Sequence, residues 1–208
     1  VTIKLVEDFA VGQARRDVLD SLQTAGEQCV VLALRHEVSD RRDERCPECH
    51  DDIYGGGERE CSQCYGTGFA EPIKHAARVW ATFGDQLKTQ NMHKQGMWEP
   101  GATDVHIEAF PRLRKGDFVV RVRRWAPDGR VAEVDGFYQV DQVSQISLRT
   151  GARHGQDAWD VVGQVTRCNR VPENLPIARR FSLVGRRFPR PSRDPVPPYA
   201  TPPIGGGW

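Results

Sequence analysis

The alternation of hydrophobic and polar positions divides the chain into a short helical opening and a long strand-rich body. From Glu7 to Gly26 the apolar residues Phe9, Val11, Val18, Leu19 and Leu22 recur at helical spacing, with Arg15, Arg16, Asp17 and Asp20 between them. This stretch reads as an amphipathic helix that stops at Gly26. The run Cys29-Val30-Val31-Leu32-Ala33-Leu34-Arg35-His36 is short and aliphatic, which predicts a buried strand. Between Ile73 and Phe83 the apolar positions Ile73, Ala76, Ala77, Val79, Trp80 and Phe83 fit a helix or a strand equally well. Both readings stay open.

The region from Thr103 to Arg170 carries a period of two. Val105, Ile107 and Ala109 alternate with Asp104, His106 and Glu108, and Phe118, Val120 and Val122 alternate with Val119, Arg121 and Arg123. Turn signals fall at Lys115-Gly116-Asp117, Pro127-Asp128-Gly129, Asp135-Gly136 and Thr150-Gly151. Further strands are predicted at Gly136–Val140, Val143–Leu148 and Ala158–Arg167. Short strands at such spacing predict a small closed antiparallel barrel or sandwich. Residues 86–101 are polar around Met92, Met97 and Trp98, and read as an ordered or partner-contacting loop. From Arg186 to Trp208 seven of the fourteen prolines collect, so this tail is expected to be an extended arm, with disorder as the alternative.

The fold class expected is therefore α+β. It divides into an N-terminal helix and strand (1–36), a metal-binding insertion (37–72), a β-domain (73–185) and a Pro-rich arm (186–208).

Composition changes this picture in two places. A chain of 208 residues with 38% hydrophobic and 27% charged residues reads as globular and soluble. No apolar run approaches the roughly 20 residues that span a bilayer, and the first residues lack the basic and apolar regions of a signal peptide. The net charge of +1 excludes a strong general field for nucleic acid, but its distribution is uneven: residues 1–60 balance at −6 and the remainder at +7. That asymmetry is either scatter on a solvated surface or a pair of complementary faces that meet between copies.

The clearest chemistry lies in two C-x2-C pairs, Cys46-Pro47-Glu48-Cys49 and Cys61-Ser62-Gln63-Cys64. The loop between them is polar and contains Gly55, Gly56 and Gly57, so packing alone cannot hold its ends together. Two such pairs facing each other supply four soft thiolates in tetrahedral array, the donor set of a structural zinc site. Disulfides and free thiols are the alternatives. Four cysteines leave no coordination position for water, so Zn2+ here would be structural and not catalytic. The remaining two, Cys29 and Cys168, read as small buried hydrophobes.

Other groupings are weaker. Asp104, His106 and Glu108 share one face of a strand and are of metal-ligand or acid–base type, but the polar face of a half-buried strand explains them as well. His50 could substitute as a ligand, which four cysteines make unnecessary. Arg121, Arg123 and Arg124, with Arg112, Arg114 and Lys115 before them and Trp125 after, could face phosphate or form a solvated strand face. The common P-loop, zinc-protease and nucleophile-elbow motifs are missing, and the chain is read as a non-enzyme with no small-molecule substrate.

A helix and strand, the ribbon ending Cys64-Tyr65-Gly66-Thr67-Gly68-Phe69, and a β-domain with Leu113-Arg114-Lys115-Gly116-Asp117-Phe118-Val119-Val120-Arg121 and Asp135-Gly136-Phe137-Tyr138-Gln139-Val140 resemble the head-to-tail connector proteins of long-tailed bacteriophages. Within that group the head-closure, or stopper, component is most similar, over residues 7–180. The Cys-Tyr-Gly-Thr-Gly stretch also resembles half of the zinc module of DnaJ-type chaperones. That module needs repeated copies, and only the pair Cys61 and Cys64 carries the glycines. The connector resemblance implies a ring-forming virion protein, made in the host cytoplasm. It would join the portal and adaptor to the tail-terminator or tail-tube proteins and help retain DNA in the lumen. The competing expectation is a zinc-ribbon nucleic-acid-binding protein built on an OB- or SH3-like barrel.

Overall fold

The computed structural model describes residues 8–35, 45–49, 61–84, 102–148 and 161–190. The glycine-rich loop with His50, the loop at 86–101, the turn signal at Thr150-Gly151 and the arm beyond Arg190 lie outside the described residues.

Helix α1 (Asp8–Ala25) is followed by strands β1 (Glu27–Leu34), β2 (Ile73–Phe83), β3 (Ala102–Glu108), β4 (Phe118–Trp125), β5 (Val131–Ser147) and β6 (Val161–Arg170), and then by the short helix α2 (Pro176–Arg180). The strands close into one antiparallel barrel in the order β1-β2-β3-β6-β5-β4. Two three-stranded meanders are joined edge to edge, with Cys29–Leu32 of β1 against Phe118–Arg121 of β4 and all of β3 against β6. Mutual pairing of the edges satisfies their backbone groups and shields them from other chains.

The period-two pattern sets what faces inward. Cys29 and Val31 from β1, Val79 and Ala81 from β2, Val105 and Ile107 from β3, and Tyr138 and Val140 from β5 fill the interior with mostly small side chains, as a narrow six-stranded barrel requires. Strand β1 is buried on both faces, as its unbroken apolar run predicts: Val30, Leu32 and Leu34 point outward into a second apolar layer. Residues 171–190 build that layer, with Val171, Ile177, Leu183 and Phe188 packed over β1, β4 and β5. Helix α1 covers the other side, against β2, β3 and β6. It stops where expected: the Gly26 N–H donates to Leu22 O at 2.8 Å, and a Cβ built at Gly26 would lie 2.5 Å from both Leu22 O and Ala81 O.

The stretch from Ile73 to Phe83, ambiguous by periodicity, is a strand, because β1 offers it a continuous edge from Glu27 to Leu34. The two short strands expected at Gly136–Val140 and Val143–Leu148 are instead parts of one strand, β5. Its register shifts between Val140 and Gln142, so the chain bends at a bulge rather than turning back. The Asp135-Gly136 turn signal is likewise a bulge, opposite Arg121 and Val122 of β4.

The connection from β3 to β4 must cross one end of the barrel, because these strands pair with different neighbours. Two buried polar side chains hold it. Gln164 of β6 accepts from the Leu113 N–H at 2.9 Å, and its amide nitrogen donates to Glu108 O at 2.9 Å, Ala109 O at 3.2 Å and Pro111 O at 2.9 Å. Asp117 accepts from the Arg114 N–H at 2.7 Å and from the Leu34 N–H of β1 at 2.8 Å. So held, the crossover lowers Leu113 into the interior core.

Replacing Gln164 by Leu leaves the buried Leu113 N–H and Ala109 carbonyl, and the part-buried Glu108 and Pro111 carbonyls, without this partner. Thermal unfolding is expected to show a loss of about 3 kcal/mol, the cost of leaving such groups unmet. Gly26→Ala is expected to cost about 2 kcal/mol through the clash with Ala81 O. Unchanged melting in either variant would remove that residue from the account of closure given above.

Candidate metal centre

The cysteine pairs sit in the connection between β1 and β2, at the barrel end where β1 finishes. Each pair forms a tight turn. In the second, the Tyr65 N–H donates to Cys61 O at 3.0 Å and the Thr67 N–H to Cys64 O at 3.0 Å, with the Thr67 hydroxyl also donating to Cys64 O at 2.7 Å. Tyr65, Gly66 and Gly68 have φ of 52°, 88° and 77°. This left-handed backbone, natural for the glycines and strained for Tyr65, curls the chain around the sulfurs. The two turns are tied together where the Cys46 N–H donates to Gly68 O at 2.8 Å and Arg45 bridges Phe69.

The four thiol sulfurs of Cys46, Cys49, Cys61 and Cys64 all lie within 4.8 Å of one another, close enough to hold a metal ion. The Cys46–Cys61 sulfurs are 3.7 Å apart and the Cys49–Cys64 sulfurs 3.3 Å. Tetrahedral ligation with metal–sulfur bonds near 2.3 Å sets sulfurs about 3.8 Å apart, so the donor set and its spacing both fit. Three of the four are buried and Cys49 is partly covered, which keeps water from the sulfurs. Around Cys61, burial works to raise the thiol pKa, but N–H groups of Cys64 and Gln63 and the neighbouring thiols outweigh it and lower it. For Cys64 burial wins and the pKa rises, although N–H groups of Gly68 and Gly66 point at its sulfur. These donors support thiolate charge once a cation is present.

Aromatic contacts fasten the centre to the body of the protein. The Tyr65 ring meets Phe181 edge-on at 6.4 Å and joins the outer apolar layer, while Arg35 and Arg45 lie over the Phe69 ring at 5.7 and 5.2 Å. The Arg35 N–H also donates to Pro72 O at 2.8 Å, closing the base of the insertion. Sequence reading named Tyr65 and Phe69 as members of the ribbon stretch and gave neither a packing role. Their signal was present, as two aromatic residues inside an otherwise polar, glycine-rich stretch.

The remaining groupings fare differently. Among the described residues, the four cysteines are the one set of metal-ligand side chains brought together. Asp104, His106 and Glu108 do lie on the outward face of β3, but Glu108 is engaged, accepting the Trp80 N–H at 2.7 Å. The basic cluster around β4 is countered by acids: Arg121 pairs with Glu27 at 2.6 Å, Arg123 with Glu133 at 3.2 Å and Lys115 with Asp141 at 2.9 Å. Cys29 and Cys168 are fully buried in the interior, where burial raises both thiols, that of Cys168 to about 11. They pack as small apolar residues. Neither a protein-family model nor a curated protein matches this chain.

Elemental analysis of the purified protein is expected to find one metal ion per chain, lost in Cys64→Ser. In that variant circular dichroism of the barrel should be retained, with proteolysis newly admitted between Arg45 and Phe69. Cooperative unfolding of the whole chain on metal removal would instead make the centre part of the main core.

Proposed function

We propose that this protein is a non-catalytic structural component of a phage neck, a ring-forming subunit that joins the portal and adaptor to the tail and helps retain packaged DNA. The observation that carries the reading is the polarity of the barrel. Where β1 ends stands the cysteine centre; where β4 ends, the sheet meets the turn at Pro127-Asp128-Gly129 and the crossing segment that leads to Arg190. A closed sheet between two chemically different ends suits a rigid joint between two different neighbours.

The appended parts support the same reading. Residues 35–72, 84–101 and 148–160 separate consecutive strands, giving a small barrel three long excursions with which to meet partners. The metal of the reading is zinc, since a closed set of four thiolates at tetrahedral spacing suits it, and its role is to hold the first excursion in one shape. The neck role itself rests on the resemblance carried by the ribbon and the β-domain stretches.

The zinc-ribbon nucleic-acid-binding alternative drew on the β4 arginines, and their pairing with Glu27 and Glu133 weakens that surface as a phosphate site.

Sedimentation of the full chain at rising concentration is expected to show a closed homo-oligomer, with rings in negatively stained images. Mass spectrometry of purified virions should find the chain, and elemental analysis should return zinc. A chain that stays monomeric at every concentration and is missing from virions would end the neck reading.

A further inference from the structure

We infer that the outer face at the β4–β5 end of the barrel is a binding strip for the phosphodiester backbone of duplex DNA, formed by Arg78, Arg186, Arg187 and Arg190. The inference goes beyond the neck reading and can be tested on the isolated chain, whether or not it forms rings.

The strip is built by the segment that follows α2. The Gly185 N–H donates to Val131 O at 2.8 Å and the Val131 N–H to Arg186 O at 3.0 Å, so the segment starts against β5. Arg187 bridges Arg130, and the Arg78 N–H of β2 donates to Pro189 O at 2.8 Å. In between, Phe188 is buried in the apolar layer over β1. The segment therefore crosses from β5 past β4 and β1 to β2, three strand spacings or about 14 Å at about 4.8 Å each. A row of cations over that distance matches a polymer of anions better than a single small one.

The four guanidinium groups are positioned by something other than acids. Arg78 lies over the Trp125 ring at 5.4 Å, Arg190 over Trp80 at 5.8 Å and Arg186 over Phe181 at 5.0 Å. Arg187 donates to the backbone carbonyl of Asp128. Among the described residues none of the four has a carboxylate partner, in contrast to the paired arginines of β4. Rings and backbone hold their orientation, so little side-chain freedom is lost on binding. Composition follows the same line: residues 161–190 hold seven arginines, no lysine and the single acid Glu173. Guanidinium forks match phosphate oxygens in geometry as well as charge.

Two observations select the partner. Trp80 and Trp125 are half-buried beneath their own arginines, so their faces are taken and base stacking of a single strand is not offered. Along helix α1 the described acids Asp17 and Asp20 are interspersed with Arg15 and Arg16, so among the described residues that helix offers no acidic strip for a second copy. Contact is then to the backbone alone and carries no sequence preference.

Fluorescence anisotropy with a short duplex of mixed sequence tests this. Binding is expected to weaken steeply between about 50 and 200 mM salt. In R186Q/R187Q the affinity at the lower salt should fall about tenfold or more and the salt slope by about 2. R187K should keep most of the binding, and K115Q, at the opposite end, all of it. Metal content and circular dichroism of the double variant should match the parent, since both side chains are exposed. No binding at the lower salt, equal binding by the double variant, or equally tight binding of polyglutamate would overturn the inference. So would loss of self-association, in place of DNA binding, in R186Q/R187Q, which would assign the strip to contact between copies.

Discussion

The amide of Gln164 is the contact on which closure of this barrel depends. A six-stranded barrel made of two meanders must carry its chain from one meander to the other across an open end. That crossing takes backbone donors and acceptors out of reach of any ladder. A single fully buried side chain on β6 meets one N–H and three carbonyls of the crossing, and Asp117 fastens the far side to β1. A glutamine suits this position because it offers donor and acceptor together without a charge to desolvate. With the crossover held, Leu113 seals the interior and β4 is delivered to the free edge of β1.

Closure has consequences at both ends. Because β1 is flanked by β2 and β4, its outward residues need their own cover, and residues 171–190 provide it as a layer over the sheet. That layer does two further things. Through Phe181 it receives Tyr65 and so steadies the cysteine centre; through Arg186, Arg187 and Arg190 it lines the other end with cations. The apolar side of one short segment thus connects two polar features of different chemistry. A segment packed by Leu183 and Phe188 is held firmly enough to present its arginines in one arrangement.

The cysteine centre is a small second core. Its members bury sulfur against sulfur, which in the absence of a cation leaves thiols near one another with little else to pack on. The left-handed backbone at Tyr65, Gly66 and Gly68 is unfavourable for a non-glycine residue, and its compensation is the set of N–H groups aimed at Cys64. The arrangement makes chemical sense as a support for thiolate charge, with Tyr65 and Phe69 carrying its position to the barrel.

What the sequence determined by itself is what depends on short range. Helix α1 and its stop at Gly26, the doubly buried β1, the inward set Val105 and Ile107, and the four-cysteine donor set were legible, because periodicity and ligand spacing are local properties. Tertiary structure decided the rest. Ile73–Phe83 became a strand because an edge of β1 was waiting for it, and Asp135-Gly136 became a bulge because β4 held β5 in line. Whether an arginine is neutralised depends on which carboxylate the fold brings beside it: Arg121 meets Glu27, ninety-four positions away, while among the described residues Arg187 donates to the Asp128 carbonyl. Charge acts through space and not along the chain, so the β4 arginines that look basic in sequence are countered by acids in the fold.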